Sequence, residues 1–257
     1  TWLPGNRLAV QIQNRQQTQL DLFIYDIQTG HRILLLTEQT STWVNLHDMF
    51  TPLQGFGEPD VPGFIWASER SGFRHLYLYD GQGQLIRPLT AGTWQVDSLV
   101  GVDQDRQIAY FTASNPTPLE SHLFSVTFQG DSLRQITTAP GMHSIILDHG
   151  KTRFVDIHHH LNQPPQITVR SLADNAELAI LHTPSDTRLS RLSLTPPHLI
   201  EYKNRTGVTL FGAIYKPPVE FGTGPFPTII SVYGGPHVQM VTNGWNMTVS
   251  MRAQYLA

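Results

Sequence analysis

Leu76-Tyr77-Leu78-Tyr79-Asp80-Gly81-Gln82-Gly83-Gln84-Leu85-Ile86-Arg87-Pro88-Leu89-Thr90 is the stretch that decides the fold of this chain. An apolar-plus-tyrosine run, a Gly-Gln-Gly turn and an apolar run closing on threonine read as two antiparallel strands joined by a hairpin. The same order occurs three more times. Its first strands are Leu22-Phe23-Ile24-Tyr25-Asp26, Leu123-Phe124-Ser125-Val126 and Ile167-Thr168-Val169-Arg170, and its closing runs end at Thr37, Thr137 and Thr183. The four closing threonines stand 53, 47 and 46 residues apart.

A repeat of about 40–50 residues with four strands per unit is the period of a propeller blade. A sandwich also has short strands and frequent turns, but it does not return one strand order at a near-constant interval. Residues 1–194 therefore read as the C-terminal part of a β-propeller, about four blades of four-stranded antiparallel sheet. Blades bury their faces on their neighbours, so four are expected to belong to a larger ring. The opening Thr1-Trp2-Leu3-Pro4 is neither an initiator nor a signal sequence, and the chain reads as a piece of something longer.

The pattern changes after Leu194. Leu199 to Tyr202 and Leu210 to Tyr215 read as a hairpin around Arg205-Thr206-Gly207, and a Gly/Pro-rich loop follows from Phe221 to Pro227. Thr228-Ile229-Ile230-Ser231-Val232 then predicts a buried strand running into Tyr233-Gly234-Gly235-Pro236-His237. A glycine-rich turn after an early strand is where α/β-hydrolases place an oxyanion-hole donor. Residues 195–257 are read as the N-terminal part of such a hydrolase domain. The expected fold is mostly β, a partial β-propeller followed by the first strands of an α/β-hydrolase.

Composition narrows the function. The 257 residues are 40% hydrophobic and only 14% charged, with 20 glycines and 18 prolines, which suits strands and turns rather than helical bundles. A net charge of −3 without a basic cluster argues against nucleic acid as a partner. No apolar run reaches the ~18 residues of a membrane span. Cysteine is absent, which removes disulfides and thiolate chemistry. Together these favour the cytoplasm without fixing the compartment. His158-His159-His160 suggests a metal, but neighbours on a strand point to opposite faces and no carboxylate or cysteine pattern completes a shell, so neither metal nor cofactor is expected. Arg74-His75 reads as a blade-packing pair.

Several segments carry a resemblance. Tyr233 to Gln239, preceded by Tyr215-Lys216-Pro217 and Phe226-Pro227-Thr228, is similar to the start of the catalytic domain in dipeptidyl peptidase IV-like enzymes of the prolyl oligopeptidase family. Trp43 to Phe50, Ser71 to Tyr77 with Leu89 to Val96, and Pro116 to Leu123 resemble its propeller, most of all in the dipeptidyl peptidase 8 and 9 branch. The resemblance implies an eight-bladed propeller capping an α/β-hydrolase, and a serine exopeptidase that removes Xaa-Pro or Xaa-Ala dipeptides from peptides with a free N-terminus. It places the oxyanion tyrosine on Tyr233 and puts His47 and Asp48 on a loop that lines the pocket beyond the penultimate substrate residue. It further implies a homodimer.

The departures matter equally. The chain contains no Gly-x-Ser-x-Gly and no Glu-Glu pair, so the family's nucleophile, its aspartate and histidine, and the acidic pair that holds the substrate ammonium are expected outside it. His237 is not the expected general base, which lies farther along in the family. Three alternatives stay open: a propeller binding protein with an inactive hydrolase domain, an acylaminoacyl-peptidase or prolyl endopeptidase relative, and a free-standing propeller.

Overall fold

The computed structural model describes residues 1–58, 61–235 and 238–257; Pro236 and His237 of the Tyr-Gly-Gly-Pro-His motif lie outside the described residues. Four four-stranded antiparallel sheets run in chain order. The first holds β1 (Trp2–Leu3), β2 (Arg7–Gln13), β3 (Gln19–Asp26) and β4 (Arg32–Gln39), and the second β5 (Phe50–Glu58), β6 (Val61–Ser68), β7 (His75–Tyr79) and β8 (Leu85–Pro88). The third holds β9 (Val96–Asp103), β10 (Ile108–Ala113), β11 (His122–Thr127) and β12 (Arg134–Gln135), and the fourth β13 (Met142–Leu147), β14 (Arg153–His160), β15 (Gln163–Ser171) and β16 (Glu177–His182). Each repeat legible in the sequence is thus one up-and-down meander, the blade-like unit of a propeller-type fold.

In the first two blades the hairpin forms where the sequence places it because one aspartate organises the turn. Asp80 Oδ1 accepts the backbone N–H groups of Gln82 at 2.9 Å and Gln84 at 2.8 Å, and Gly83 takes φ +80°. Asp26 does the same for Gln28 and Thr29, both at 2.9 Å. An Asx-type turn with glycine in the left-handed region reverses the chain without an unpaired amide.

Chain contacts divide the protein into two compact units, residues 1–113 with 123–136, and residues 114–122 with 137–257. In the first unit the second blade is buried on both faces, which explains why its central strands read as continuous apolar runs rather than as an alternation. Phe64 and Trp66 of β6 and Tyr77 and Tyr79 of β7 pack with Leu20, Leu22 and Ile24 of the first blade. Their alternates Ile65, Ala67, Leu76 and Leu78 pack with Phe111, Phe124 and Val126 of the third. Strand period two sends successive side chains into two different cores.

The closing threonines have a structural role. Thr90 Oγ1 lies 3.0 Å from His75 Nδ1, at the start of β7, and accepts the Leu76 N–H at 3.0 Å. Thr37 donates to Asp21 at 2.7 Å, and Thr137 Oγ1 lies 3.4 Å from His122 Nδ1. In three blades the last strand is therefore pinned to a polar residue of the third strand. His75, expected to be a packing residue, is 1% exposed, and its neighbour Arg74 pairs with Glu69 at 2.9 Å.

In the second unit, the hairpin expected after Leu194 forms as β17 (His198–Lys203) and β18 (Thr209–Ile214). The strand expected at 228–232 does not form: these residues have no regular structure, and Ile230 and Val232 are more than 80% exposed. A largely apolar central strand is stable only with partners on both edges, and the described hairpin pairs with itself instead. The unit ends in two short helices, α1 (Trp245–Thr248) and α2 (Met251–Leu256). No helix among the described residues is long and apolar enough to cross a membrane.

Candidate active-site elements

Tyr233 stands at the end of the irregular segment 228–233, about half exposed. Its ring folds back over the chain: a methyl group built on Gly235 would meet the phenol oxygen at 2.5 Å and the ring carbon bearing it at 2.6 Å. The φ of Gly235 lies outside the left-handed region, so its lack of a side chain serves the close approach of the ring rather than the backbone conformation. The second glycine of the turn thus makes room for the phenol.

His47 and Asp48 lie in the first unit, on the loop between β4 and β5, and they differ in kind. The His47 imidazole rests on the Trp66 indole with centroids 4.4 Å apart, and its Nδ1 accepts the Met49 N–H at 3.2 Å. Burial pushes the His47 pKa down, against an opposing backbone hydrogen bond at Ala67. Asp48 is exposed. The loop therefore offers solvent the carboxylate, while the imidazole braces the loop against the blade.

The indole under His47 is held by a group the sequence did not mark. Glu38 on β4 accepts the Trp66 Nε1–H at 3.1 Å and the Ser68 hydroxyl at 2.9 Å, and it pairs with Arg70. The Arg70 guanidinium lies over the Tyr77 ring, 4.6 Å from its centroid, and donates to the Tyr79 hydroxyl. Glu38 and Arg70 come from neighbouring blades, so only tertiary packing brings them together.

The histidine triplet on β14 does alternate. His158 stacks on His143 at 4.4 Å and donates to the Pro140 carbonyl at 3.0 Å, and His143 is buried with both ring nitrogens facing oxygens, Asp156 at 2.9 Å and the Ala139 carbonyl at 2.9 Å. His159 accepts the Trp245 N–H at 3.0 Å. Among the described residues no group of three or more histidine, cysteine or acidic side chains is disposed to hold a metal ion.

A run of blade-like antiparallel meanders followed by a hairpin and a Tyr-Gly-Gly turn defines a propeller-class β protein. The chain belongs to the family of the dipeptidyl peptidase IV N-terminal region, whose family model matches residues 1–165. It is 28% identical to mouse dipeptidyl peptidase 8 over 88% of this chain and 29% of that protein. It is 27% identical to a probable dipeptidyl peptidase 4 of Emericella nidulans over 93% of this chain and 32% of that protein. The crystal structure of Porphyromonas gingivalis dipeptidyl peptidase 4 superimposes with a TM-score of 0.81 at 21% identity, covering 96% of this chain and 35% of that one, which establishes the fold. The chain spans about a third of the length of these relatives.

Proposed function

We propose that this chain is part of a serine-type dipeptidyl aminopeptidase, with residues 1–194 contributing to its propeller and 195–257 opening its α/β-hydrolase domain. The reaction is removal of N-terminal Xaa-Pro or Xaa-Ala dipeptides through an acyl-enzyme, in a homodimer that needs no cofactor. The observation that carries this reading is the family match joined to a Tyr233-Gly234-Gly235 turn in which glycine clears space for the phenol.

In this reading the Tyr233 O–H donates to the oxygen that becomes negative as serine attacks the acyl carbon. A donor already aimed at that oxygen stabilises the tetrahedral intermediate more than the ground state, which lowers the barrier. Asp48 reaches the substrate from the blade loop, and His47 lines the same pocket while fixing the loop's course. The nucleophile, its base and the groups that hold the substrate's ammonium come from parts of the protein beyond this chain, so the chain by itself is inactive.

The test is an assay of the protein that carries this chain on an Xaa-Pro chromogenic substrate, once with a free N-terminus and once acylated. Cleavage of the free substrate, with kcat falling about 10²–10³-fold in Tyr233→Phe, supports the reading. Cleavage of only the acylated substrate overturns the aminopeptidase assignment, and binding without cleavage identifies a scaffold.

A further inference from the structure

Residues 243–248 are fastened by hydrogen bonds to two places, the loop between β10 and β11 and the β14–β15 hairpin of the fourth blade. Asn243 donates its backbone N–H to Leu119 at 2.7 Å and its side-chain N–H to Glu120 Oε1 at 2.7 Å. Its side-chain oxygen accepts the Leu161 N–H at 3.4 Å. Thr248, 1% exposed, donates to the Leu161 carbonyl at 2.6 Å. Between these two ends, the Trp245 N–H at the start of α1 donates to His159 Nδ1.

Glu120 is itself fixed: its other oxygen receives His122 Nε2 at 3.1 Å, and His122 Nδ1 faces the closing threonine Thr137. The third blade's closing device thus extends through Glu120 to Asn243. The bond at Trp245 is of another kind, because an amide N–H can be received only by an imidazole nitrogen that bears a lone pair. A proton on Nδ1 removes that acceptor and sets two donors face to face.

We infer that His159 and Glu120 are positioning residues, which seat residues 243–248 and through them the turn that carries Tyr233, and that the Trp245 bond of this seat holds only while His159 is neutral. The role assigned to Tyr233 rests on the peptidase reading above; the seat itself does not. Burial holds the His159 pKa below the ordinary 6.5, and the further groups acting on it, His158, His143 and His160, lower it as well. The nearby carboxylates are engaged elsewhere, Asp156 by His143 and Glu120 by Asn243 and His122. The segment itself brings no ionisable side chain, since 243–248 reads Asn-Gly-Trp-Asn-Met-Thr.

Amide hydrogen exchange on the chain, corrected for intrinsic rates, tests the seat without reference to activity. The Trp245 amide is expected to lose about tenfold in protection, the worth of one hydrogen bond, as pH falls from about 8 through the lowered His159 pKa. In His159→Asn, whose amide oxygen takes the place of Nδ1 and does not titrate, protection persists across this range, and in His159→Ala it is low throughout. Protection independent of pH in the unaltered chain, or unchanged in His159→Ala, overturns the inference.

In the protein that carries this chain, His159→Ala is expected to lower kcat on the free Xaa-Pro substrate with little change in KM, and His159→Asn to restore it. A normal kcat in His159→Ala overturns the positioning role and leaves the peptidase reading intact. An unaltered protein with no activity at any pH overturns the peptidase reading, and hydrogen exchange then still decides whether the seat exists.

Discussion

His75 Nδ1 lies 3.0 Å from Thr90 Oγ1, and both residues are almost completely buried. His75 Nε2 faces the Gly92 carbonyl at 3.1 Å and so carries the proton, which leaves Nδ1 to accept the threonine hydroxyl while that oxygen accepts the Leu76 N–H. One side chain therefore satisfies two buried groups on the neighbouring strand.

Replacing Thr90 with valine keeps the shape and removes both partnerships. The buried imidazole nitrogen and the Leu76 amide are left unpaired, so the expected loss is about 2–4 kcal/mol in urea unfolding of the chain. The exposed equivalent, Thr37→Val opposite Asp21, is expected to cost less than about 1 kcal/mol. Equal effects at the two sites would show that burial does not set the cost.

Two glycines with positive φ should respond differently to alanine. At Gly72 nothing lies within reach of an added Cβ, so only the backbone penalty of about 1–2 kcal/mol applies. At Gly83 the added carbon would sit 1.8 Å from the Leu35 carbonyl oxygen, which is backbone and cannot swing away. Gly83→Ala is therefore expected to destabilise well beyond Gly72→Ala, measured as a lower urea midpoint at unchanged slope.

Gly235→Ala should separate stability from activity. The backbone there accepts alanine, and the colliding group is the end of the flexible Tyr233 side chain. Unfolding is expected to change by no more than about 0.5 kcal/mol, while kcat of the protein that carries this chain falls, because the phenol must leave its place over the turn. Unchanged kcat would show that this position of the ring is irrelevant to turnover.

Acid should weaken the fold before carboxylates protonate. His47, His75, His158 and His159 all have pKa values lowered chiefly by burial. The unfolded chain then binds more protons than the folded one once pH drops below the ordinary histidine value of about 6.5, and stability declines with it. Above that value the contribution is complete. Urea midpoints that stay level between about pH 7 and pH 5 would contradict the burial of these rings.

Much of this architecture is legible from residues alone. Strand period, aspartate-glycine turns and the closing threonines are local or near-local signals, and they place the four meanders and the 198–214 hairpin because each needs only its own residues to specify it. The run at 228–232 misled for the same reason: a short apolar and β-branched run specifies a strand only when partner strands lie on both sides, and among the described residues none pairs with it. The triplet His158-His159-His160 likewise reveals its alternation in sequence, but not that one ring receives a backbone amide 86 residues away.

The sequence by itself determined the repeat, the strand order, the turns and the Tyr-Gly-Gly motif, since these depend on neighbours within about a blade's length of chain. Tertiary structure decided the rest: that Glu38 holds the indole beneath His47, that Gly235 leaves room for the Tyr233 ring, and that Glu120 and His159 grip the segment at 243–248. Such pairings join residues far apart in the chain through burial and directed hydrogen bonds, and no local pattern encodes a partner that only folding brings within 3 Å.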